Sequence, residues 1–159
     1  GAADAGAGED TPPAAGGDED PARKIARRRI EVMKKRLAEK PDSEDISREL
    51  VRLYAIELQA PARAMAYAEK TGRADTAEML ELAGKSVLLL TEDECLVLAD
   101  WYMDLTEGSS TSGRKHALSR AETCYRRFLA QHERGDAKKL KAKLGLEKAR
   151  DALAELEGG

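Results

Sequence analysis

Apolar residues recur along the chain at alternating three- and four-residue spacings, which is the pattern of amphipathic helices. The first stripe of this kind comprises Ala26, Ile30, Met33 and Leu37. It predicts a helix over about residues 21–39, with Asp20 as its N-cap and Pro21 in its first turn. Pro41 ends this helix, because the residue before a proline is disfavoured in helical backbone.

Six further stripes follow, separated by short polar segments that contain glycine or proline. They predict helices over about residues 43–58, 61–71, 74–84, 91–105, 114–134 and 136–156. Ser43 is the capping candidate of the second helix, and Thr91 and Glu94 fit the reciprocal capping box at the start of the fifth helix. The stripe of the seventh helix comprises Leu140, Leu144, Ala149, Leu153 and Leu156. Gly145 lies inside this helix, where it predicts a kink or a close packing contact. Aromatic residues make up only 4% of the chain. The pattern therefore predicts an all-α fold of antiparallel helix pairs.

Charge is divided unevenly along the chain, although the formal net charge is only −3. Residues 1–22 carry six acidic and no basic residues among Ala, Gly and Pro, which predicts a disordered acidic linker. Residues 23–40 carry nine basic and two acidic residues and begin a helical domain over 23–157. No apolar run is long enough to span a membrane, and no signal peptide is recognised.

The basic first helix is the strongest electrostatic feature of the sequence. Its candidate partner-binding residues are Arg27, Arg28, Arg29, Lys34 and Lys35. They are interpreted either as a solvated helix face or as a surface for an acidic protein, nucleic acid or an anionic membrane. The acidic linker folding back onto this helix is a further alternative. The helix has no aromatic residue on which a base could stack, which counts against nucleic acid.

The fifth and sixth predicted helices carry a more specific pattern. Residues 98–105 read Leu-Ala-Asp-Trp-Tyr-x-x-Leu; after a loop that contains Lys115, residues 118–125 read Leu-x-Arg-Ala-x-x-x-Tyr. Over about residues 46–156, the chain resembles degenerate tetratricopeptide-like hairpins of planctomycete-type bacterial proteins. The resemblance implies a short solenoid of stacked antiparallel hairpins that acts as a scaffold. Small and aromatic residues fill such a hairpin. The core residues expected here are Leu98, Trp101, Tyr102, Ala121, Tyr125 and Phe128.

One segment approaches a nucleotide-binding motif without matching it. Residues 108–115 read Gly-Ser-Ser-Thr-Ser-Gly-Arg-Lys, near the phosphate-binding loop G-x-x-x-x-G-K-[ST]. Arg114 stands in the lysine position, and a helix rather than a strand is predicted before the segment. We therefore expect a flexible connector and no bound nucleotide.

Catalytic and metal-binding residues are sparse. His116 and His132 lie about 24 Å apart on one predicted helix, so they cannot share a catalytic or metal site. Spacing suggests no carboxylate partner for either histidine. Cys95 and Cys124 are expected as small buried residues, although a disulfide between their helices stays open. No cofactor, metal or enzymatic activity is predicted.

The function that these features favour is a protein–protein interaction or scaffold module that recruits a peptide or protein or supports assembly. The alternative is an adaptor that binds nucleic acid or an anionic surface through the basic first helix. A purely structural spacer is a third interpretation. The sequence predicts a soluble chain, either cytoplasmic or part of a larger exported bacterial protein, and leaves partner and oligomeric state open.

Overall fold

The computed structural model describes residues 19–158, and every regular element in that range is helical. The expected all-α fold of about seven helices is confirmed. The α-helices are α1 (Pro21–Glu39), α2 (Glu44–Arg52), α3 (Pro61–Ala64), α4 (Thr76–Ala83), α5 (Glu92–Leu105), α6 (Thr111–Gln131) and α7 (Ala137–Gly158). Residues 1–18 of the expected linker lie outside the described residues, so its disorder stays a prediction.

Three short segments of other helical types extend or join these helices. A π turn at Leu53–Glu57 continues α2, a 3-10 helix at Met65–Lys70 continues α3, and a 3-10 turn at Val87–Leu89 precedes α5. In that last turn Leu88 and Leu89 are exposed, while Val87 is buried. The apolar run of residues 87–90 predicts a connector that packs beneath a neighbouring hairpin, and the exposure of Leu88 and Leu89 shows that this prediction is wrong in part.

The predicted helix starts are made by local side-chain hydrogen bonds. The Ala22 amide donates to Asp20 Oδ1 at 3.1 Å, and the Ile46 amide donates to Ser43 Oγ at 3.3 Å. At α5, the Glu94 amide donates to Thr91 Oγ1 at 3.2 Å. The Thr91 amide in turn donates to the Glu94 carboxylate at 2.9 Å. Both halves of the capping box are present, which confirms that prediction.

The core is continuous and is built around α6. Helices α5 and α7 both pack on α6, while α2 packs on α1 and on the 3-10 segment after α3. The π turn contacts both α1 and α6 and so joins the first half of the domain to the second. The largest fully buried side chains include Leu50, Ile56, Leu98, Leu118 and Phe128.

The π turn that follows α2 is buried along its whole length. The Leu58 amide donates to the Leu53 carbonyl at 3.0 Å, and Gln59 then takes a positive φ of 54° before Pro61 starts α3. All five residues of the turn are buried, including the carboxylate-bearing Glu57. Widened turns of this kind are frequent near functional sites, and positive φ is uncommon for a residue other than glycine.

Helix α7 packs through small residues, contrary to the expected leucine stripe of 140 and 144. Leu140 is 59% and Leu144 is 56% exposed, whereas Ala142 and Ala149 are fully buried. A Cβ atom on Gly145 would lie 2.4 Å from the Tyr125 ring. The aromatic ring fills the space between the helices, so only small residues fit there. This close contact confirms one of the two roles predicted for Gly145.

Candidate functional site

A groove lies between the first turns of α1, the end of α2 with its π turn, and the connection from α5 to α6. We call it the α1 groove; its volume is about 900 Å³. Ala22, Ala26 and Leu53 give it an apolar floor, and Ile25 stands on its rim with 63% of its surface exposed. The opposite wall is formed by residues 108–112 and carries glycine and hydroxyl groups.

One end of the α1 groove is closed by a hydrogen-bond network centred on Glu57. Its carboxylate accepts from the Ser110 amide at 2.7 Å and from Ser110 Oγ at 2.5 Å. Arg52 Nη1 lies 3.1 Å from Glu57 and also donates to Ser109 Oγ at 3.1 Å. The network ties the π turn to the N-terminus of α6, where a negative charge is stabilised by free amides and the helix dipole.

Glu49 extends this network to α1. It pairs with Arg52 at 2.9 Å and with Arg29 at 2.6 Å. Burial opposes ionisation of Glu49, but hydrogen bonds from Arg52 and Arg29 outweigh it, so that its pKa is lowered. The carboxylate therefore stays charged and holds α1 against α2 beside the groove.

In the sequence, Glu57 or Leu58 continues the apolar stripe of the second helix, and no functional role is predicted for Glu57. That placement was the available signal, because a carboxylate on an apolar stripe must find donors when it is buried. The donors come from Ser110, which lies 53 positions further along the chain. Only the folded structure brings the two residues together.

The segment resembling a phosphate-binding loop is part of this network. Helix α5 precedes it, and α6 already begins at Thr111, so the expected loop over 107–113 ends earlier than predicted. Ser110 caps α6 by accepting from the Gly113 amide at 3.0 Å. A Cβ atom on Gly113 would lie 2.7 Å from Glu57 Oε1. A side chain at position 113 would meet the Glu57 carboxylate, which accepts from the Ser110 amide at the start of α6.

The five basic residues predicted to bind a partner divide into two groups. Arg27 pairs with Glu19 at 2.9 Å, Arg29 with Glu49 at 2.6 Å, and Lys34 with Glu31 at 3.6 Å. Arg28 and Lys35 are exposed and form no ion pair within residues 19–158. The two exposed residues are therefore the ones of this set that remain available to an external anion.

Comparison with protein-family models, curated proteins and solved structures finds no match to this chain. The helices of residues 19–158 include none that is both long and apolar enough to cross a membrane. In the same part of the chain, no group of three or more His, Cys, Asp or Glu residues is placed to hold a metal ion. The candidate functional site is therefore described by the α1 groove, the charged residues beside it and the exposed aliphatic residues of α1.

The expected hairpin core lies between α5 and α6, with one exception. The buried members are Leu98, Tyr102, Ala121, Tyr125 and Phe128. Trp101 is only partly buried, contrary to the expectation that it would be enclosed. Its indole packs edge-on against Tyr102, with 5.3 Å between ring centroids, and borders a pocket of about 100 Å³ that Arg48 and Thr71 also line.

Tyr125 connects all three helices of the second half. Its hydroxyl donates to Asp100 Oδ1 on α5 at 2.6 Å, while Lys141 of α7 pairs with the other oxygen of Asp100 at 3.0 Å. Burial first and then the Asp100 carboxylate raise the pKa of the Tyr125 phenol, so that it remains a hydrogen-bond donor. Asp100 thus holds α5 to both α6 and α7.

His132 has two carboxylate partners, so the expectation that spacing provides none is wrong. Nδ1 lies 3.2 Å from Glu92 and Nε2 lies 2.8 Å from Asp136. The ring stacks on Phe128 with centroids 4.6 Å apart, and the residue is 8% exposed. Hydrogen bonds to Asp136 and then Glu92 raise the pKa of His132. The four-residue spacing of His132 and Asp136 in the sequence could have predicted the Asp136 partner. No sequence spacing predicts the Glu92 partner.

The remaining nucleophile candidates are protonated and enclosed. Cys95 and Cys124 are free, and both are fully buried. Burial and then the neighbouring Cys95 raise the pKa of Cys124 to about 12, and burial raises the pKa of Cys95. Because the thiolate is the reactive form, neither residue is placed for nucleophilic chemistry. His116 packs edge-on against Tyr102 at 6.1 Å, and burial lowers its pKa.

Proposed function

We propose that this chain is a protein–protein interaction or scaffold module that recruits a peptide or protein partner or supports assembly. The α1 groove is its binding surface in this proposal, and the chain is not an enzyme and uses no cofactor. The observation that carries the proposal is an open groove of about 900 Å³ with an apolar floor and a largely exposed Ile25 on its rim.

A groove of this size suits the side chains of a bound segment. Helical scaffolds commonly receive an extended or helical peptide between neighbouring helices, with a few aliphatic anchors providing most of the contact. The Glu49–Arg52–Glu57 network supports this assignment, because it fixes α1, α2 and α6 relative to one another and so keeps the groove formed. A preformed groove avoids the cost of ordering it on binding.

In the same proposal the helices are tetratricopeptide-like hairpins, as the sequence resemblance implies. The packing of α5 on α6 supports this interpretation, since Ala121 is fully buried and Tyr102 and Tyr125 are each 2% exposed. A small residue at the closest approach of two helices, with aromatic rings filling the space beside it, is the arrangement such hairpins use. Planctomycete-type relatives and a stacked solenoid remain parts of the proposal.

A second candidate function rests on the exposed Arg28 and Lys35. Both are free of ion pairs within residues 19–158 and could bind the phosphates of nucleic acid or of an anionic surface. Binding of that kind falls steeply as salt is raised, whereas a peptide held by aliphatic contacts is much less sensitive. The two candidates are therefore separated by their response to salt and nuclease.

The test is capture of partners from a lysate of the source cells by the immobilised protein. Capture is compared at low and high salt, with and without nuclease, for wild type, Ile25→Glu and the control Leu89→Glu. Leu89 is a matched control because it is an aliphatic residue with 75% exposure, away from the groove. The proposal expects proteins retained by wild type and Leu89→Glu but lost with Ile25→Glu. Equal capture by all three proteins would refute it, and capture removed by nuclease would favour the second candidate.

A further inference from the structure

The solvent-facing side of α1 combines aliphatic and basic residues in one strip. This α1 strip consists of Lys24, Ile25, Arg28, Val32, Lys35 and Arg36. Ile25 is 63% exposed and Val32 is 46% exposed. Seven positions of helix separate them, about 10.5 Å along the axis, so they lie on the same face. That face is opposite the buried stripe of α1, which makes it available to another molecule.

The basic residues of the strip differ in their pairing from those at its edges. Arg27 and Arg29, at the edges, pair with Glu19 and Glu49. Within the described range of 19–158, no ion pair involves the basic members of the strip, which are Lys24, Arg28, Lys35 and Arg36. At 100° per residue, the first three lie on one side of the Ile25–Val32 line and Arg36 lies on the other. Four basic residues without an ion pair in this range therefore flank the two aliphatic residues, and the exposed Glu39 at the C-terminal end of α1 is the acidic residue on the same face.

The exposed leucines of α7 provide a contrast. Leu140 and Leu144 are similarly exposed, at 59% and 56%. The neighbouring Lys138 and Lys141, however, pair with acidic residues of α5 at 3.1 and 3.0 Å. The remaining exposed charges beside these leucines are of both signs, since Glu147 and Asp151 accompany Lys143 and Lys148. The charges beside Ile25 and Val32 are mainly basic.

We propose that the α1 strip binds an acidic amphipathic helix of a protein partner. The aliphatic residues of that helix contact Ile25 and Val32, and its carboxylates face the flanking lysines and arginines. This inference rests on the proposed interaction function and adds the chemistry of the partner. The strip is continuous with the α1 groove through Ile25, which belongs to both.

Two other anionic partners fit the strip less well. Nucleic acid would place phosphates over Ile25 and Val32, and α1 offers no aromatic residue for a base. A membrane surface is bound by amphipathic helices that insert a broad apolar face, and this strip has only two aliphatic side chains. An acidic amphipathic helix provides aliphatic contacts for Ile25 and Val32 and carboxylates for the basic residues of the strip.

The test uses a fluorescently labelled synthetic helix as probe, measured by fluorescence anisotropy. The probe has about 18 residues, with leucines repeated at three- and four-residue spacing and glutamates at the other positions. Two control peptides replace either the leucines by serine or the glutamates by glutamine. The protein variants are Ile25→Ser with Val32→Ser, and Arg28→Gln with Lys35→Gln. Their matched controls on α7 are Leu140→Ser with Leu144→Ser, and Lys143→Gln with Lys148→Gln.

We expect each α1 double variant to weaken probe binding by about tenfold or more, since each removes two exposed contacts. Each control peptide should bind wild type more weakly by a similar factor, and the α7 variants should bind as wild type does. Equal binding of the probe by all protein variants would overturn the proposal. Unchanged binding of the control peptide in which serine replaces the leucines would also overturn it. Duplex DNA or anionic phosphatidylserine vesicles that bind independently of Ile25 and Val32, and more tightly than the probe, would also overturn it.

The same assay distinguishes an external partner from the chain's own residues 1–18 as the segment that occupies the α1 strip. They carry acidic residues but no aliphatic side chain larger than alanine and proline. A deletion of residues 1–18 that raises probe affinity about tenfold would assign the strip to this segment and overturn an external partner. If the probe does not bind but capture from lysate still depends on Ile25, only the proposed acidic chemistry of the partner is refuted. Capture that does not depend on Ile25 would refute the interaction function itself.

Discussion

The contact between Gly145 and Tyr125 provides a test in which two physical effects have opposite signs. On helix propensity alone, Gly145→Ala inside α7 should stabilise the protein by about 1 kcal/mol. A Cβ atom at this position would, however, lie 2.4 Å from Tyr125 Cζ and 2.7 Å from its hydroxyl oxygen. No real Cβ atom is accommodated at such distances, so either the ring or the helix must move.

The cost of that movement exceeds the gain in propensity. Tyr125 is 2% exposed and its hydroxyl donates to Asp100 at 2.6 Å, so the ring has no free space and is held at its end. Overpacking a core costs about 1–3 kcal/mol, and loss of a hydrogen bond to a charged group about 1.5–3 kcal/mol. After subtracting the propensity term, Gly145→Ala should destabilise the fold by roughly 3 kcal/mol.

Urea unfolding followed by circular dichroism measures this free energy, with Gly158→Ala as control. Gly158 is at the end of α7 and a Cβ atom there would meet nothing within 4 Å. We expect Gly158→Ala to change stability by less than about 0.5 kcal/mol. Tyr125→Leu removes the atoms that clash, so adding Gly145→Ala in that background should be neutral or stabilising. A stabilised Gly145→Ala single variant would refute the packing explanation for the glycine.

Three further predictions concern the groove, the α6–α7 junction and the indole of α5. Glu57→Ala should destabilise the protein by about 3–5 kcal/mol in urea unfolding, because it breaks a buried network, whereas the exposed Glu107→Ala should be near neutral. Comparable effects of the two variants would refute the role of Glu57. The stability advantage of wild type over His132→Gln should decrease as the pH rises above about 6.5 and through the raised pKa of His132; a constant difference would contradict it. Trp101→Ala should cost about 2 kcal/mol rather than the 3–5 kcal/mol of a fully buried tryptophan, and a larger loss would show that Trp101 is enclosed.

The direction of the pH dependence follows from the partners of His132. Hydrogen bonds to Asp136 and Glu92 raise the pKa of His132 above its ordinary value of 6.5. The protonated ring donates to both carboxylates, and the neutral ring can donate to only one. The stabilisation is therefore fully present below about pH 6.5 and is lost as the pH rises through the raised pKa. Asp136 does not interfere, since the hydrogen bond from His132 and the Lys139 amide lower its pKa.

Local features of the structure followed directly from the sequence. The stripe of Ala26, Ile30 and Met33 identified the buried face of α1, because these residues recur at helical spacing. Asp20, Ser43, Thr91 and Glu94 identified the helix starts correctly, since each cap is a hydrogen bond between residues two or three positions apart. Interactions of this range are encoded by neighbouring residues and need no knowledge of the fold.

Features of the candidate site required the tertiary structure. Glu57 meets Ser110 across 53 positions, and Glu92 meets His132 across 40. Periodicity carries no information about such pairs, because it describes one helix at a time. The groove likewise exists only where α1, the π turn and the start of α6 come together.

The same limit explains the errors for α7 and Trp101. Hydrophobicity favoured Leu140, Leu144 and Ala149 for the buried face of α7. Ala149 is buried as predicted, but Ala142 and Gly145 are placed inward instead of the two leucines. The sequence determined that α7 is a helix and supplied a glycine in its middle. The tertiary structure decided which face is buried, because the Tyr125 ring occupies the space against α6 and leaves room only for small residues. Burial is set by the shape of the partner surface, and helical spacing contains no description of that surface.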